Sequence, residues 1–223
     1  MRITKNELID KLKKQEDDLR RLRRSLAMSE IDLPAREFIN PSSNETTVSE
    51  HSREALQRGF TEWDNNVTEP EYNGDWQRIN TYIKGADGIG WTWESDYVRN
   101  GQFAWCGAFA AFCYTKIRSK IRSKIFPSCY RLWDNWGGTH RKVSNINPGD
   151  IVVVYTSTSH SPSYGNHITI ACSYLLDDGD FETIEGNAKG PGPNGKIEGV
   201  IRRKRNIKDV AHIYRPSSED YDE

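Results

Sequence analysis

Near the N-terminus, the apolar positions follow a heptad pattern. Residues 5–28 are dense in charged side chains, and a mostly apolar seam recurs at alternating intervals of four and three residues. This spacing is typical of an α-helix that buries one narrow stripe. We therefore expect a charged heptad helix over 1–33. The seam positions are Leu8, Leu12, Gln15, Leu19, Leu22 and Leu26.

The seam of this helix has three alternative partners. It packs on its own domain, it docks on a second copy or a partner protein, or it lies on a membrane surface. Charges of both signs on the polar face disfavour the membrane, because such helices usually carry a basic polar face. The first two alternatives stay open.

The rest of the chain has the pattern of one compact domain. Residues 34–71 are mostly polar and predict a linker, whereas 72–216 contains apolar runs of helix and strand length. A short amphipathic helix is expected over 75–84, and the apolar run that begins at Cys106 predicts a buried helix over 106–124. Five β-branched segments with turn residues between them follow. They predict strands at 151–155, 167–174, 181–185, 200–205 and 211–214.

Helices followed by consecutive strands indicate an α+β fold, in which a helix packs on an antiparallel sheet. The Gly/Pro-rich segment 189–195 is expected to be a loop between two strands. The acidic tail 217–223 is expected to fray, because few apolar side chains are available to anchor it.

Composition narrows the classes of function. With a formal net charge of -1, the chain offers no global field that would attract nucleic acid. We expect no transmembrane segment, since no apolar run is long enough to cross a bilayer. The charged N-terminus does not resemble a secretory signal, so we expect synthesis in the cytoplasm without one. The four Cys lack the C-x-x-C spacing of a metal site, and we expect neither metal nor cofactor.

Cys106 is the best candidate for a nucleophile. It lies where a Gly- and aromatic-rich loop enters the apolar helix, and the free amides of a helix N-terminus favour a thiolate. Its own amide is a candidate oxyanion donor, and the side chain of Gln102 is a second. We also expect Gln102 and Trp105 to contact substrate. The other three Cys lie inside predicted elements or in a connection.

His167 is the best candidate for the base. It opens a predicted strand whose apolar residues alternate with it, which leaves the imidazole available to meet the helix N-terminus. His160, in the loop just upstream, is the rival. A catalytic His needs a third group to fix its tautomer. Glu185 and Asn187 share a face of the next predicted strand, and we expect one of them to accept the proton on Nδ1 of His167.

Four sequence blocks in order resemble the CHAP family, the cysteine, histidine-dependent amidohydrolase/peptidase domains. Residues 103–113, Phe-Ala-Trp-Cys-Gly-Ala-Phe-Ala-Ala-Phe-Cys, resemble the nucleophile helix of that family. Residues 147–153, Asn-Pro-Gly-Asp-Ile-Val-Val, resemble its Pro-Gly-Asp strand. Residues 165–171 and 183–187 are similar to its histidine strand and its Glu/Asn strand. The resemblance extends over 74–216 and leaves the N-terminal 70 residues unmatched.

The resemblance implies a papain-like fold and cysteine-dependent hydrolysis of peptidoglycan. The bond would be the N-acetylmuramoyl-L-alanine amide or an amide of the stem peptide or cross-bridge. Cys106 would be the nucleophile and His167 the general base and acid, while Glu185 and Asn187 would orient or polarise. Such a protein would be a phage lysin or an exported antibacterial toxin, reaching the cell wall or periplasm after release or specialised export.

Two other functions fit the same residues. One is a cysteine protease or amidase that acts on a protein or a small amide, since a fold does not determine a substrate. The other is a non-catalytic binding or structural protein that keeps the fold, although the presence of both Cys106 and His167 speaks against it.

Overall fold

A computed structural model describes residues 48–69, 76–86, 104–124, 126–135, 145–156, 165–192 and 195–222, together with Lys11. The chain divides into two units, Met1–Pro41 and Ser42–Glu223. The predicted heptad helix belongs to the first unit and, apart from Lys11, lies outside the described residues. All the other described residues belong to the second unit.

An antiparallel sheet forms the centre of the second unit. Its spatial order is β4-β3-β2-β1-β5, and every neighbouring pair is antiparallel. The predicted α+β class with an antiparallel sheet is confirmed. The strands are β1 (Ile151–Val154), β2 (His167–Ala171), β3 (Asp180–Gly192), β4 (Gly195–Asn206) and β5 (Val210–Tyr214).

Successive side chains of the strands enter two separate apolar clusters. Val153 belongs to the large cluster that also contains the buried side chains of the helices, whereas Val152 belongs to a smaller cluster. Alternation of this kind is expected when both faces of a sheet are covered. The helices are α1 (Glu50–Asp64), α2 (Trp76–Gly85), α3 (Cys106–Cys113), α4 (Ser119–Lys124) and α5 (Cys129–Asn135).

The predicted linker over 34–71 is wrong for its described part. Helix α1 lies within it, and its N-terminus is capped by Ser49, whose hydroxyl accepts a hydrogen bond from the amide of Ser52. Ala55 and Leu56 are buried in the main core. The few apolar residues of this polar segment fall on one helical face, and that face is sufficient to dock the helix. The compact domain therefore begins before α1 and not near residue 72.

The predicted helix over 106–124 is also wrong in its extent, because the structure contains two helices. Helix α3 ends at Cys113, and α4 begins at Ser119. Between them, Ile117 forms a β-bridge with Tyr221 of the C-terminal segment. That pairing uses backbone groups that a continuous helix would need for its own ladder.

Two segments, one predicted to be a loop and the other predicted to fray, are paired or packed in the structure. The described part of the Gly/Pro-rich segment 189–195 continues strand pairing, since β3 extends to Gly192 and β4 begins at Gly195. The acidic tail does not fray at Tyr221, which is 6% exposed and stacks on His51 with the ring centroids 4.0 Å apart. The first segment is paired by its hairpin neighbour, β4, whereas the tail is held by distant residues, since Tyr221 bridges to Ile117.

Among the described residues, no helix combines the length and the apolar character needed to cross a membrane.

Candidate active site

Cys106 is the first residue of α3, as the sequence analysis predicts. Trp105 is the N-cap residue and makes no side-chain cap hydrogen bond, so the first-turn amides, which have no backbone partner within a helix, receive none from the N-cap side chain. The next residue, Gly107, allows the helix to touch the segment before α5. A Cβ at position 107 would overlap the carbonyl oxygen of Phe126, so no other residue type fits there. The backbone packing at Gly107 therefore determines where the Cys106 thiol lies.

His167 is the first residue of β2 and meets the Cys106 thiol. Against the effect of burial, the charge of His167, with hydrogen bonding from its side chain and from the backbone amides of Ile168 and Gly107, lowers the pKa of the Cys106 thiol. Both residues are nearly enclosed, with 5% of Cys106 and 6% of His167 exposed. The structure thus brings together the predicted nucleophile and the predicted base from segments that lie far apart in sequence.

Glu185 of β3 completes a line of three side chains. Its Oε2 lies 3.1 Å from Nε2 of His167, and the carboxylate is fully buried. The prediction that the carboxylate accepts the proton on Nδ1 is wrong. Because Nε2 is engaged by Glu185, Nδ1 is the ring nitrogen left to face the thiol. The difference depends on the direction from which β3 approaches the ring, which no local pattern encodes.

Two further partners of Glu185 were missed in the sequence. Arg205 of β4 binds the carboxylate in a bidentate manner, with Nε 2.7 Å from Oε1 and Nη2 2.6 Å from Oε2. The Thr183 hydroxyl donates to Oε1 at 2.5 Å. Arg205 stands in the basic run Arg-Arg-Lys-Arg at 202–205, and the residue types of that run do not distinguish the one buried guanidinium from its more exposed neighbours.

The charges at this site stabilise a thiolate–imidazolium pair. Burial acts to raise the pKa of Cys106, but the charge and hydrogen bond of His167 and the two backbone amides outweigh it, so that the pKa is lowered. Burial acts to lower the pKa of His167, but the Cys106 thiolate and the Glu185 carboxylate raise it to about 9. Despite its burial, the pKa of Glu185 is held well below its usual range by hydrogen bonds from His167 and Arg205.

The other cysteines have the opposite environment. Burial raises the pKa of Cys113 and, to about 12, that of Cys172. Burial and the nearby charge of Cys106 raise the pKa of Cys129. A thiol becomes a nucleophile near neutral pH only when its thiolate is stabilised. Among the four thiols, Cys106 alone has a lowered pKa.

Asn187 lies in the site but forms its hydrogen bonds with Trp105 and Glu69 and not with His167. It lies in the bulge that interrupts β3 between Glu185 and Ala188 and has a positive φ of 55°, a conformation that Asn tolerates better than most residues. Its Oδ1 accepts the backbone N–H of Trp105 at 3.0 Å, and its Nδ2 donates to Glu69 at 2.9 Å. Asn187 therefore holds the start of α3, whereas Glu185 takes the role of orienting the imidazole.

Trp105 is not placed to contact substrate, contrary to expectation. Its side chain is fully buried, and its indole N–H donates to Oε1 of Glu69 at 2.9 Å. The ring also packs against Tyr82 of α2. Glu69, which the sequence analysis placed in a linker, is thus a shared acceptor for Trp105 and Asn187. Its position after α1, where Val67 and Thr68 join the edge of β4, was not visible in any motif.

Two other predicted residues cannot be placed. Gln102, the second candidate oxyanion donor, and His160, the rival base, lie outside the described residues. Within the described parts of the chain, no group of three or more His, Cys, Asp and Glu side chains is arranged to hold a metal ion.

Comparisons with models of protein families, with curated proteins and with solved structures found no match to this chain.

Proposed function

We propose that this protein is a cysteine-dependent peptidoglycan hydrolase that cuts an amide bond. The observation that carries the proposal is the buried line from the Cys106 thiol through the His167 imidazole to the Glu185 carboxylate. A sulfur with a lowered pKa beside an oriented imidazole is the arrangement that covalent amide hydrolysis needs. The substrate class rests on the resemblance to the CHAP family, which also implies a papain-like fold and a lysin or exported toxin.

In the first half of the proposed reaction, the Cys106 thiolate attacks the carbonyl carbon and a C–S bond forms. The electron pair of the carbonyl moves to oxygen, and the amide of Cys106 at the start of α3 is a donor for that oxyanion. The imidazolium of His167 then gives its proton to the amide nitrogen. The C–N bond breaks, the amine leaves, and a thioester remains on Cys106.

In the second half, water attacks the thioester. Neutral His167 takes one proton from the water, a second oxyanion forms, and the C–S bond breaks to release the carboxylic acid, which loses its remaining proton to the solvent. The thiolate–imidazolium pair is restored. Glu185 keeps the ring orientation constant through both halves, because its carboxylate accepts from Nε2 throughout.

Purified sacculi and four proteins test the proposal. The wild type and Cys172→Ala are expected to clear a sacculus suspension, whereas Cys106→Ala and His167→Ala are not. Cys172 is the matched control, since it is also a buried thiol but its pKa is raised. Clearing by Cys106→Ala at the wild-type rate would refute the proposed nucleophile.

Mass spectrometry of the soluble products identifies the bond. A free N-terminal L-alanine with a liberated lactyl carboxylate marks the muramoyl amide, and new termini inside the peptide mark an endopeptidase. If the wild type leaves sacculi intact but cleaves a protein substrate in a Cys106-dependent manner, the peptidoglycan proposal fails in favour of a protease. Binding to sacculi without any released product would point to a binding protein.

A further inference from the structure

A buried carboxylate with three kinds of donor lies behind the imidazole. Glu185 has no exposed surface, and it receives hydrogen bonds from His167 of β2, from Arg205 of β4 and from Thr183 of its own strand. The resemblance to the CHAP family assigns a role to the first contact only. The contact with Arg205 has better hydrogen-bonding geometry than the contact with His167. Two nitrogens of the planar guanidinium lie 2.7 and 2.6 Å from the two carboxylate oxygens.

Register in the sheet brings Arg205 to this place. Arg205 pairs with Phe181 in the ladder between β4 and β3. Phe181, Thr183 and Glu185 are alternate residues of β3, so their side chains share one face. The guanidinium of Arg205 extends along that face to Glu185, and only 8% of the residue remains exposed. The ion pair is therefore shielded from solvent and salt, unlike a surface pair.

The protonation state of Glu185 decides what His167 can do. An ionised carboxylate only accepts, so Nε2 of His167 must carry its proton and Nδ1 is left without one when the ring is neutral. A neutral carboxyl group can instead donate a hydrogen bond to Nε2. The ring proton then lies on Nδ1, and that nitrogen can no longer accept the proton of the Cys106 thiol. A carboxyl group buried without a cation takes up a proton readily, because burial disfavours the charged form.

We propose that Arg205 is a positioning residue, which keeps Glu185 an ionised acceptor and thereby selects the His167 tautomer that activates Cys106. The inference rests on the proposed cysteine site. It does not depend on peptidoglycan as the substrate.

His167 of β2 and Arg205 of β4 are the charged groups that act most strongly on Glu185. The Cys172 thiol just after β2 also interacts with it, and Cys106 of α3 acts on the other side of the imidazole. Cys172 stays neutral because burial raises the pKa of its thiol to about 12. The proton of the cysteine–histidine pair moves between the two side chains, whereas the guanidinium of Arg205 is a permanent positive charge beside the Glu185 carboxylate.

The matched control for Arg205 is Arg215. Its guanidinium binds Asp150 with two contacts of 2.6 Å, and Asp150 is 1% exposed. Both arginines thus form a bidentate pair with a buried carboxylate, but no hydrogen bond joins Arg215 to Cys106, His167 or Glu185. Arg205→Gln and Arg215→Gln are expected to lower the melting temperature by similar amounts. Only the first is expected to change the chemistry of Cys106.

The experiment measures iodoacetamide alkylation of Cys106 against pH in the full chain, resolved from the other thiols by peptide mass spectrometry. In Arg205→Gln the midpoint is expected to rise by about 1 unit or more, the size that loss of an adjacent charge produces. Arg205→Lys keeps the positive charge but cannot form two parallel hydrogen bonds to the carboxylate. This variant is expected to raise the alkylation midpoint less. A midpoint that stays at the wild-type value in Arg205→Gln, or that shifts equally in Arg215→Gln, overturns the inference.

A second measurement covers the case in which Arg205→Gln does not fold. Carbon-13 NMR of wild-type protein labelled at Glu carboxyls, assigned with Glu185→Gln, is expected to show Glu185 ionised from pH 8 to pH 4. A Glu185 signal that titrates near neutral pH overturns the inference. Neither measurement uses a substrate, so intact sacculi combined with the expected alkylation shift would refute the peptidoglycan proposal and leave the role of Arg205 standing.

Discussion

Nε2 of His167 and Oε2 of Glu185 are 3.1 Å apart, and the carboxylate has no contact with solvent. This contact determines which ring nitrogen faces Cys106. It also links the imidazole, which belongs to β2, to the neighbouring strand β3. Because β2 and β3 are antiparallel neighbours, the strand pairing holds Glu185 beside His167 and so maintains the orientation of the imidazole.

Glu185→Gln is expected to impair turnover less than His167→Ala. The amide can still accept from Nε2 through its oxygen, but it no longer stabilises the imidazolium by charge. We expect kcat to fall on the order of 100-fold, as for a misplaced catalytic group. Loss of His167 removes the proton transfer itself and is expected to abolish turnover. Sacculus clearing rates of the two variants compare them directly, and equal losses would mean that the carboxylate does more than orient.

The pH profile of kcat/KM is expected to be bell-shaped. On the acid side, activity is lost as the Cys106 thiolate takes up a proton, which occurs below the ordinary range because its pKa is lowered. On the basic side, the raised pKa of His167 means that its proton persists until about pH 9 and is lost above it. The leaving amine then lacks its proton donor. A profile that rises near pH 6.5 and stays flat through pH 10 would indicate a neutral imidazole acting as a simple base.

Asn187→Ala is expected to reduce both stability and activity, while Asn187→Gly does less harm to stability. The first change leaves the Trp105 amide without its acceptor and places Ala at a positive φ. An unsatisfied buried donor costs about 1–3 kcal/mol. Glycine loses the same hydrogen bond but accepts the backbone conformation. Urea unfolding of the wild type, Asn187→Ala and Asn187→Gly separates the cost of the lost hydrogen bond from the cost of the positive φ.

The pH midpoint of Cys106 alkylation provides the control for this pair. Because Asn187 forms its hydrogen bonds with Trp105 and Glu69 and not with His167, the midpoint is expected to stay at the wild-type value in both variants. A shift as large as that of Arg205→Gln would show that Asn187 acts on the imidazole after all.

A chain shortened to begin at Val48 is expected to fold, whereas one that begins at Tyr72 is not. The longer form keeps α1, whose Arg58 donates to the carbonyl of Cys113 at 2.8 Å and so holds the end of α3. Burying one Leu side chain such as Leu56 contributes about 1.5–3 kcal/mol. Loss of the whole helix is therefore comparable with the stability of a domain, about 5–15 kcal/mol. Cooperative thermal unfolding of the two forms, followed by circular dichroism, is the measurement. A cooperative transition in the shorter form would restore the linker interpretation of this segment.

The elements that were predicted well are those with a strong local pattern. The β-branched run at Ile151 and the apolar run after Trp105 specify a strand and a helix through their own residues. The strands were predicted in the right order for the same reason. Where the local pattern was weak, the prediction failed. Helix α1 is polar in composition, and the pairing of Ile117 with Tyr221 divides a segment that looks continuous.

The sequence alone determined the α+β class, the position of Cys106 at a helix start and the choice of His167, with Glu185 and Asn187 as alternative partners of its ring. These are properties of residue type and of short periods, which each segment carries with it. The tertiary structure alone decided that Nε2 and not Nδ1 meets Glu185, that Arg205 stands behind the carboxylate, and that Trp105 is buried. Such contacts join segments distant in the chain, up to 118 positions apart for Asn187 and Glu69. They depend on register and packing, which only the folded chain specifies.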